Sequence, residues 1–241
     1  MRTRRTPGLP AIPRRRSRQR SWPVVTGLLV LSAVPLLAGT FRLVQLLGGP
    51  ALIPADQRFD SSPAPLVVHI VAATVFALGG ILQLLPRFRR RHLGWHRRAG
   101  RLVAGAGLLV AGSAFWMATF YATKPGTGPL LLALRLVFAV AMTACLVLGV
   151  ATVRRRDMAG HRAWMIRAYA IALAAGTQAF TGGFAPLLPG SGVLKGDIAM
   201  GSAWFINLAV AECVIRRGAR GTSAPRPVRT ELRAAPAGTP S

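Results

Sequence analysis

A chain of 241 residues is long enough for one large domain or two small ones, but its composition is far from that of an average soluble protein. Hydrophobic residues make up 52%, mean hydropathy is +0.43, and only 15% of residues are charged, yet the formal net charge is +25. The arginines cluster between apolar stretches, not along one helix face or an aromatic sheet, which excludes a nucleic-acid reader and leaves a membrane protein. Cys145 and Cys213 both fall inside apolar runs with no CxxC spacing, so neither a disulfide framework nor a zinc site is implied.

Residues 1–21 carry eight arginines, three prolines and no acid, a composition expected to stay disordered. The first apolar run, about 22–48, supplies the ~20 helical residues a bilayer core needs, with Pro35 as an expected kink. It is too long for the apolar core of a cleaved signal peptide and lacks a small-x-small site before a polar start. Five more spans follow, at about 66–86, 97–122, 129–153, 161–184 and 197–215, and a basic tail expected to be disordered fills 216–241. The expected fold is therefore an all-α, six-span transmembrane bundle. Nearly all basic residues fall in the two tails and in the loops after spans two and four. The alternate loops hold only Arg58, Lys124 and Lys195, so both termini are expected in the cytoplasm of a bacterium whose inner membrane holds the protein. The bilayer partner is one with anionic headgroups, each basic residue near the surface gaining about 1 kcal/mol.

Two basic turns echo each other. Arg89-Arg90-Arg91 is followed after four residues by His96-Arg97, and Arg154-Arg155-Arg156 after four residues by His161-Arg162. Spans two–three and four–five thus read as a parallel helix-pair repeat about an axis along the membrane normal. His96 and His161 occupy equivalent places in it. Two such histidines could meet across the axis, and neutral imidazole is a ligand for haem iron, so a haem b is one reading. Each histidine capping local backbone or a headgroup is the other. Arg97, Arg101, Arg162 and Arg167 would serve a propionate or another anion, or lipid phosphate.

Inside the spans, His69, Phe76, Gly80 and Gln83 share one helical face, because offsets of 7, 11 and 14 residues return near the start at about 3.6 per turn. Arg167, Ala174, Gln178 and Thr181 form a similar stripe on span five. A polar cavity is expected from His69, Gln83, Arg135, Gln178 and Glu212, since an isolated charge at membrane depth costs ~2.5 kcal/mol or more. Glu212 is expected to pair with Arg167 or Arg101, being the one acid at that depth within a span.

The segments His69…Gly80-x-x-Gln83, His96-Arg97-x-x-Gly100-Arg101 and His161-Arg162-x-Trp164-Met165-x-Arg167-x-Tyr169 resemble a bacterial family of predicted multi-pass membrane proteins known only as a domain of unknown function. The likeness covers roughly residues 64–185 and implies an integral membrane protein, without an activity. More loosely, the layout is similar to b-type cytochrome helical bundles, which implies at most one bis-histidine haem, through His96 and His161. No nucleophile elbow, P-loop or dinucleotide fingerprint is present, and acids are too few for paired-carboxylate catalysis. Three functions remain: a haem-binding or quinone-linked electron-transfer protein, a small-molecule carrier with its site at the repeat interface, or an assembly partner of another membrane complex.

Overall fold

A computed structural model describes residues 22–85, 91–189 and 192–222. Among these, all regular structure is helical. The helices are α1 (Trp22–Leu46), α2 (Ala64–Leu84), α3 (Leu93–Phe120), α4 (Pro129–Arg154), α5 (Met158–Ala172), α6 (Ala174–Gly183) and α7 (Val193–Thr222), with short 3-10 turns at Gln57–Phe59 and Ala185–Leu187. Helices α1, α2, α3, α4 and α7 are each long and apolar enough to cross a membrane.

Span five departs from the sequence expectation. It is broken at Leu173 into α5 of 15 residues and α6 of 10, each too short to cross a ~30 Å core alone. The physical cause comes from another helix. Asn207 of α7 donates its side-chain amide to the Ala170 carbonyl at 3.2 Å, and its carbonyl oxygen accepts from the Thr177 hydroxyl at 3.0 Å. One side chain therefore binds both sides of the break and satisfies the Ala170 carbonyl at the end of α5.

The last helix also differs from its expected bounds. It starts at Val193, not at residue 197, and runs through Arg216–Thr222, where a tail was expected. Arginine is a good helix former, and Arg216, Arg217 and Arg220 near a helix C-terminus complement its dipole, so the helix continues past its apolar part. The first basic turn's Arg89 and Arg90 lie outside the described residues. The second is fully visible. Arg156 takes a left-handed φ of 63°, with Arg156 N–H on the Val153 carbonyl and Asp157 N–H on Thr152, the double bond that closes a helix end. Asp157 then caps α5 by accepting from Gly160 N–H at 2.8 Å.

Consecutive helices α2, α3, α4 and α5 pack as neighbours, and α5 touches α2 again, closing a ring. Helix α7 packs on α4, α5 and α6, while α1 lies on α2 and α6. Small residues let the backbones approach. A Cβ on Gly80 would stand 2.3 Å from the Tyr169 ring, and one on Gly107 would stand 2.6 Å from Phe76. Phe138 stacks on Trp204 with centroids 4.9 Å apart. Large apolar side chains such as Leu37, Val71, Leu109, Val137, Phe205 and Val210 point outward, as lipid contact requires.

Candidate functional site: a polar-lipped cavity inside the bundle

A half-open cavity of about 400 Å³ lies among the helices, and every helix contributes to its wall. Apolar side chains dominate. Phe76 comes from α2, Ala111 and Met117 from α3, Phe138 from α4, Tyr169 from α5 and Trp204 from α7. The polar groups are few and come from different helices: Ser32 on α1, His69 on α2, Arg135 on α4 and Gln178 on α6. An apolar cavity with a small set of convergent polar groups is the usual form of a small-molecule site.

Each polar group has a definite state. The Ser113 hydroxyl gives its one proton to the Leu109 carbonyl at 2.5 Å, so toward His69 it accepts. His69 Nδ1–H therefore donates to Ser113 at 3.0 Å, and Nε2 is left as an acceptor. The Tyr169 phenol donates to the Ala77 carbonyl at 2.9 Å. Ser32 is only 3% exposed, and its hydroxyl makes no hydrogen bond of normal geometry. Arg135 makes no direct hydrogen bond or ion pair among the described residues; its electrostatic neighbours are Arg58 and Asp197. Asp197 is otherwise committed. Its carboxylate, 1% exposed, accepts from Gly128 N–H at 2.9 Å and Leu131 N–H at 3.1 Å, so α7 caps the start of α4.

Arg58 and Phe59 of the first 3-10 turn also line the cavity, and a lattice of contacts fixes them. Asp56 accepts from Arg58 Nε at 2.8 Å and Nη2 at 2.6 Å, and Arg58 Nη1 reaches the Ala122 carbonyl at 3.3 Å. Arg42 donates to Gln45 and to the Pro54 carbonyl, while Phe59 meets Tyr121 edge-on at 5.1 Å. Tyr121 in turn donates to the Ser62 carbonyl at 2.5 Å. Hydrogen bonding from Arg58 holds the Asp56 carboxyl below its ordinary range, and burial pushes the Tyr121 phenol up. The Asp56–Arg58 pair is thus charged and the phenol neutral at physiological pH.

Of the residues expected to form a polar cavity, His69, Arg135 and Gln178 are brought together, and Gln83 and Glu212 are not. Gln83 lies further along α2, against Gly100 of α3, with both amide atoms buried and without a hydrogen-bond partner among the described residues. Glu212 forms a bidentate pair with Arg167, at 2.5 and 3.1 Å, and the guanidinium carbon sits 4.8 Å over the Trp164 ring. Arg167 is therefore taken up by an acid, and of the two partners open to Glu212 it is the one used. His161 donates Nδ1–H to the Gly149 carbonyl at 2.7 Å. His96 and His161 stand near the starts of α3 and α5; α4 packs against both helices, and neither histidine lines the cavity. Arg97, Arg101 and Arg162 are exposed, Arg162 lying beside Gly218 of α7. Among the described residues no group of three or more His, Cys, Asp or Glu side chains could hold a metal. Ser32, Asp197 and Asn207 were not singled out by sequence. Ser32 and Asn207 offered one signal, a lone polar residue in an apolar run; Asp197 stood at the start of a span, two residues after Lys195.

Residues 66–215 match the family described as "Predicted membrane protein (DUF2306)". This is more than half of the chain, and the protein belongs to that family. No curated protein and no solved structure matches it.

Proposed function

From membership of that membrane-protein family we propose that the chain is a binding protein or carrier for a small lipophilic molecule, held in the cavity between its helices. The observation that carries this reading is the convergence of His69, Arg135 and Gln178, from α2, α4 and α6, on one apolar cavity of about 400 Å³. Polar groups at membrane depth are costly unless they serve a site or a structure, and these three contribute to one wall. In this reading α5 and α6 together make the sixth crossing, about 39 Å long at 1.5 Å per residue. The basic residues of the turns before α3 and α5 and of both tails face an anionic cytoplasmic leaflet of a bacterial inner membrane. The two helix pairs α2–α3 and α4–α5 are the repeat, and the cavity lies between them. Purification in a mild detergent, followed by organic extraction and mass spectrometry, is the test. A small molecule near one per chain is expected, lost on Ala114→Phe, which adds a ring at a part-exposed residue of the cavity wall. Extracts without any stoichiometric compound, together with an unaltered protein whose thermal stability added lipophilic molecules leave unchanged, would sink the reading.

A haem b on His96 and His161 is the second reading. What supports it is the His161 Nδ1–Gly149 hydrogen bond, which leaves Nε2 as the ligating nitrogen. Arg97, Arg101 and Arg162 are available to propionates, whereas Arg167 is held by Glu212. A Soret band in the purified protein, abolished by His161→Ala, is its test, and a colourless preparation from haem-supplemented cells rejects it.

A further inference from the structure

Resting on the proposal that the cavity is a ligand site, we infer that its ligand is a single-chain amphipathic monoanion of the carboxylate class, with its head on Arg135. The charge count leads there. The cavity wall holds two cations, Arg58 and Arg135, and among the described residues no acid. Arg58 is neutralised by Asp56 at 2.6 Å, and the nearby acid Asp197 spends both oxygens on the start of α4. Asp197 acts on Arg135 through space without a hydrogen bond or ion pair to it, so the Arg135 guanidinium has no direct partner among the described residues, about six residues, or ~9 Å, into a membrane-crossing helix.

Charge in a low-dielectric wall selects its opposite, and the planar fork of arginine matches a carboxylate with two parallel hydrogen bonds. Neutral groups suited to the same head line the cavity too: the Gln178 amide and the buried Ser32 hydroxyl. His69 Nε2 is an acceptor, so it accommodates a protonated or hydroxylated group without adding charge.

Size narrows the ligand further. A volume of about 400 Å³ is near the low end for small-molecule pockets and accommodates one chain or a fused ring body. One unpaired cation favours a monoanion over a phosphate dianion. The walls that would meet the body are apolar, with Phe76, Met117, Phe138 and Trp204 among them.

The test measures equilibrium binding of radiolabelled palmitate to the full chain in nanodiscs of neutral lipid, with hexadecanol, acetate and phosphatidylglycerol as competitors. Palmitate is expected to bind at one per chain, with hexadecanol at least about tenfold weaker and acetate ineffective, the difference being one charge-assisted contact. Arg135→Gln should weaken palmitate about tenfold and leave hexadecanol unchanged, and Arg135→Lys should fall between. Equal binding of palmitate and hexadecanol overturns the anion assignment while leaving the cavity reading intact. Competition by phosphatidylglycerol as strong as by palmitate itself identifies a lipid headgroup as the source and overturns the single-chain assignment. Binding of neither palmitate nor hexadecanol overturns this inference, and the co-purified molecule then stands as the separate test of the cavity. Should Arg135→Gln fail to fold, the ratio of palmitate to hexadecanol affinity in the unaltered protein decides by itself.

Discussion

Gly176 of α6 lies directly on the backbone carbonyl of Leu31 in α1, so close that a Cβ there would stand 1.9 Å from the oxygen. That carbonyl is the one whose helical partner would be the N–H of residue 35, and residue 35 is proline. The proline of one helix therefore releases the group that the broken end of another helix covers. Both features border the cavity, through Pro35 on one side and Gly176 on the other. Since backbone cannot move aside like a side chain, Gly176→Ala is expected to destabilise the protein by about 1–3 kcal/mol. Gly105→Ala and Gly112→Ala, whose added methyl meets nothing within 4 Å, are expected to be neutral or to gain about 0.5–1 kcal/mol. Unfolding temperatures of the three variants in one detergent check the contrast.

Asp197 closes the start of α4 from a different helix. Its removal leaves two backbone N–H groups of a buried helix end without acceptors, and Asp197→Ala is expected to cost about 1–3 kcal/mol. Asp197→Asn keeps an acceptor oxygen and should recover much of that loss. If the two variants melt together, the carboxylate is not acting as a cap.

Gln83 is the reverse case, a buried amide whose two polar atoms are unmet among the described residues. Replacing it by the similarly shaped Met removes a desolvation cost of about 1–3 kcal/mol. Gln83→Met is therefore expected to stabilise the protein, and, because Gln83 is outside the cavity, to leave ligand retention unchanged. A melting temperature below that of the unaltered protein would show the amide to be in use.

The Asp56–Arg58 pair beside the cavity is the acid-sensitive element. Asp56 has a folded pKa lowered by Arg58, so its stabilising pair is complete above the unfolded value of about 3.9 and is lost as pH falls through the lower folded one. Between pH 5 and 8 the 3-10 turn Gln57–Phe59 should stay protected from amide exchange, after correction for the intrinsic rate. Protection is expected to fall only below about pH 4. In Asp56→Asn it should be reduced at every pH, with no acid transition left.

Much of the architecture was legible in the chain because lipid imposes it locally. Long apolar runs must become helices when no water can satisfy the backbone. The stripe His69, Phe76, Gly80, Gln83 is part of that legible layer. Helix α2 runs unbroken from Ala64 to Leu84, and His69 and Phe76 do share the cavity wall. The stripe Arg167, Ala174, Gln178, Thr181 was drawn on the same rule and does not survive as one face, because the helix beneath it breaks at Leu173. Arg167 goes to Glu212 and Gln178 to the cavity. The break depends on Asn207, 34 residues further along the chain than Leu173, and helical periodicity carries no term for a hydrogen bond of that range. The same reason hid the cap that Asp197 gives α4. Which segments enter the bilayer was a property of the sequence alone; which polar side chains find one another there was decided only when the helices packed.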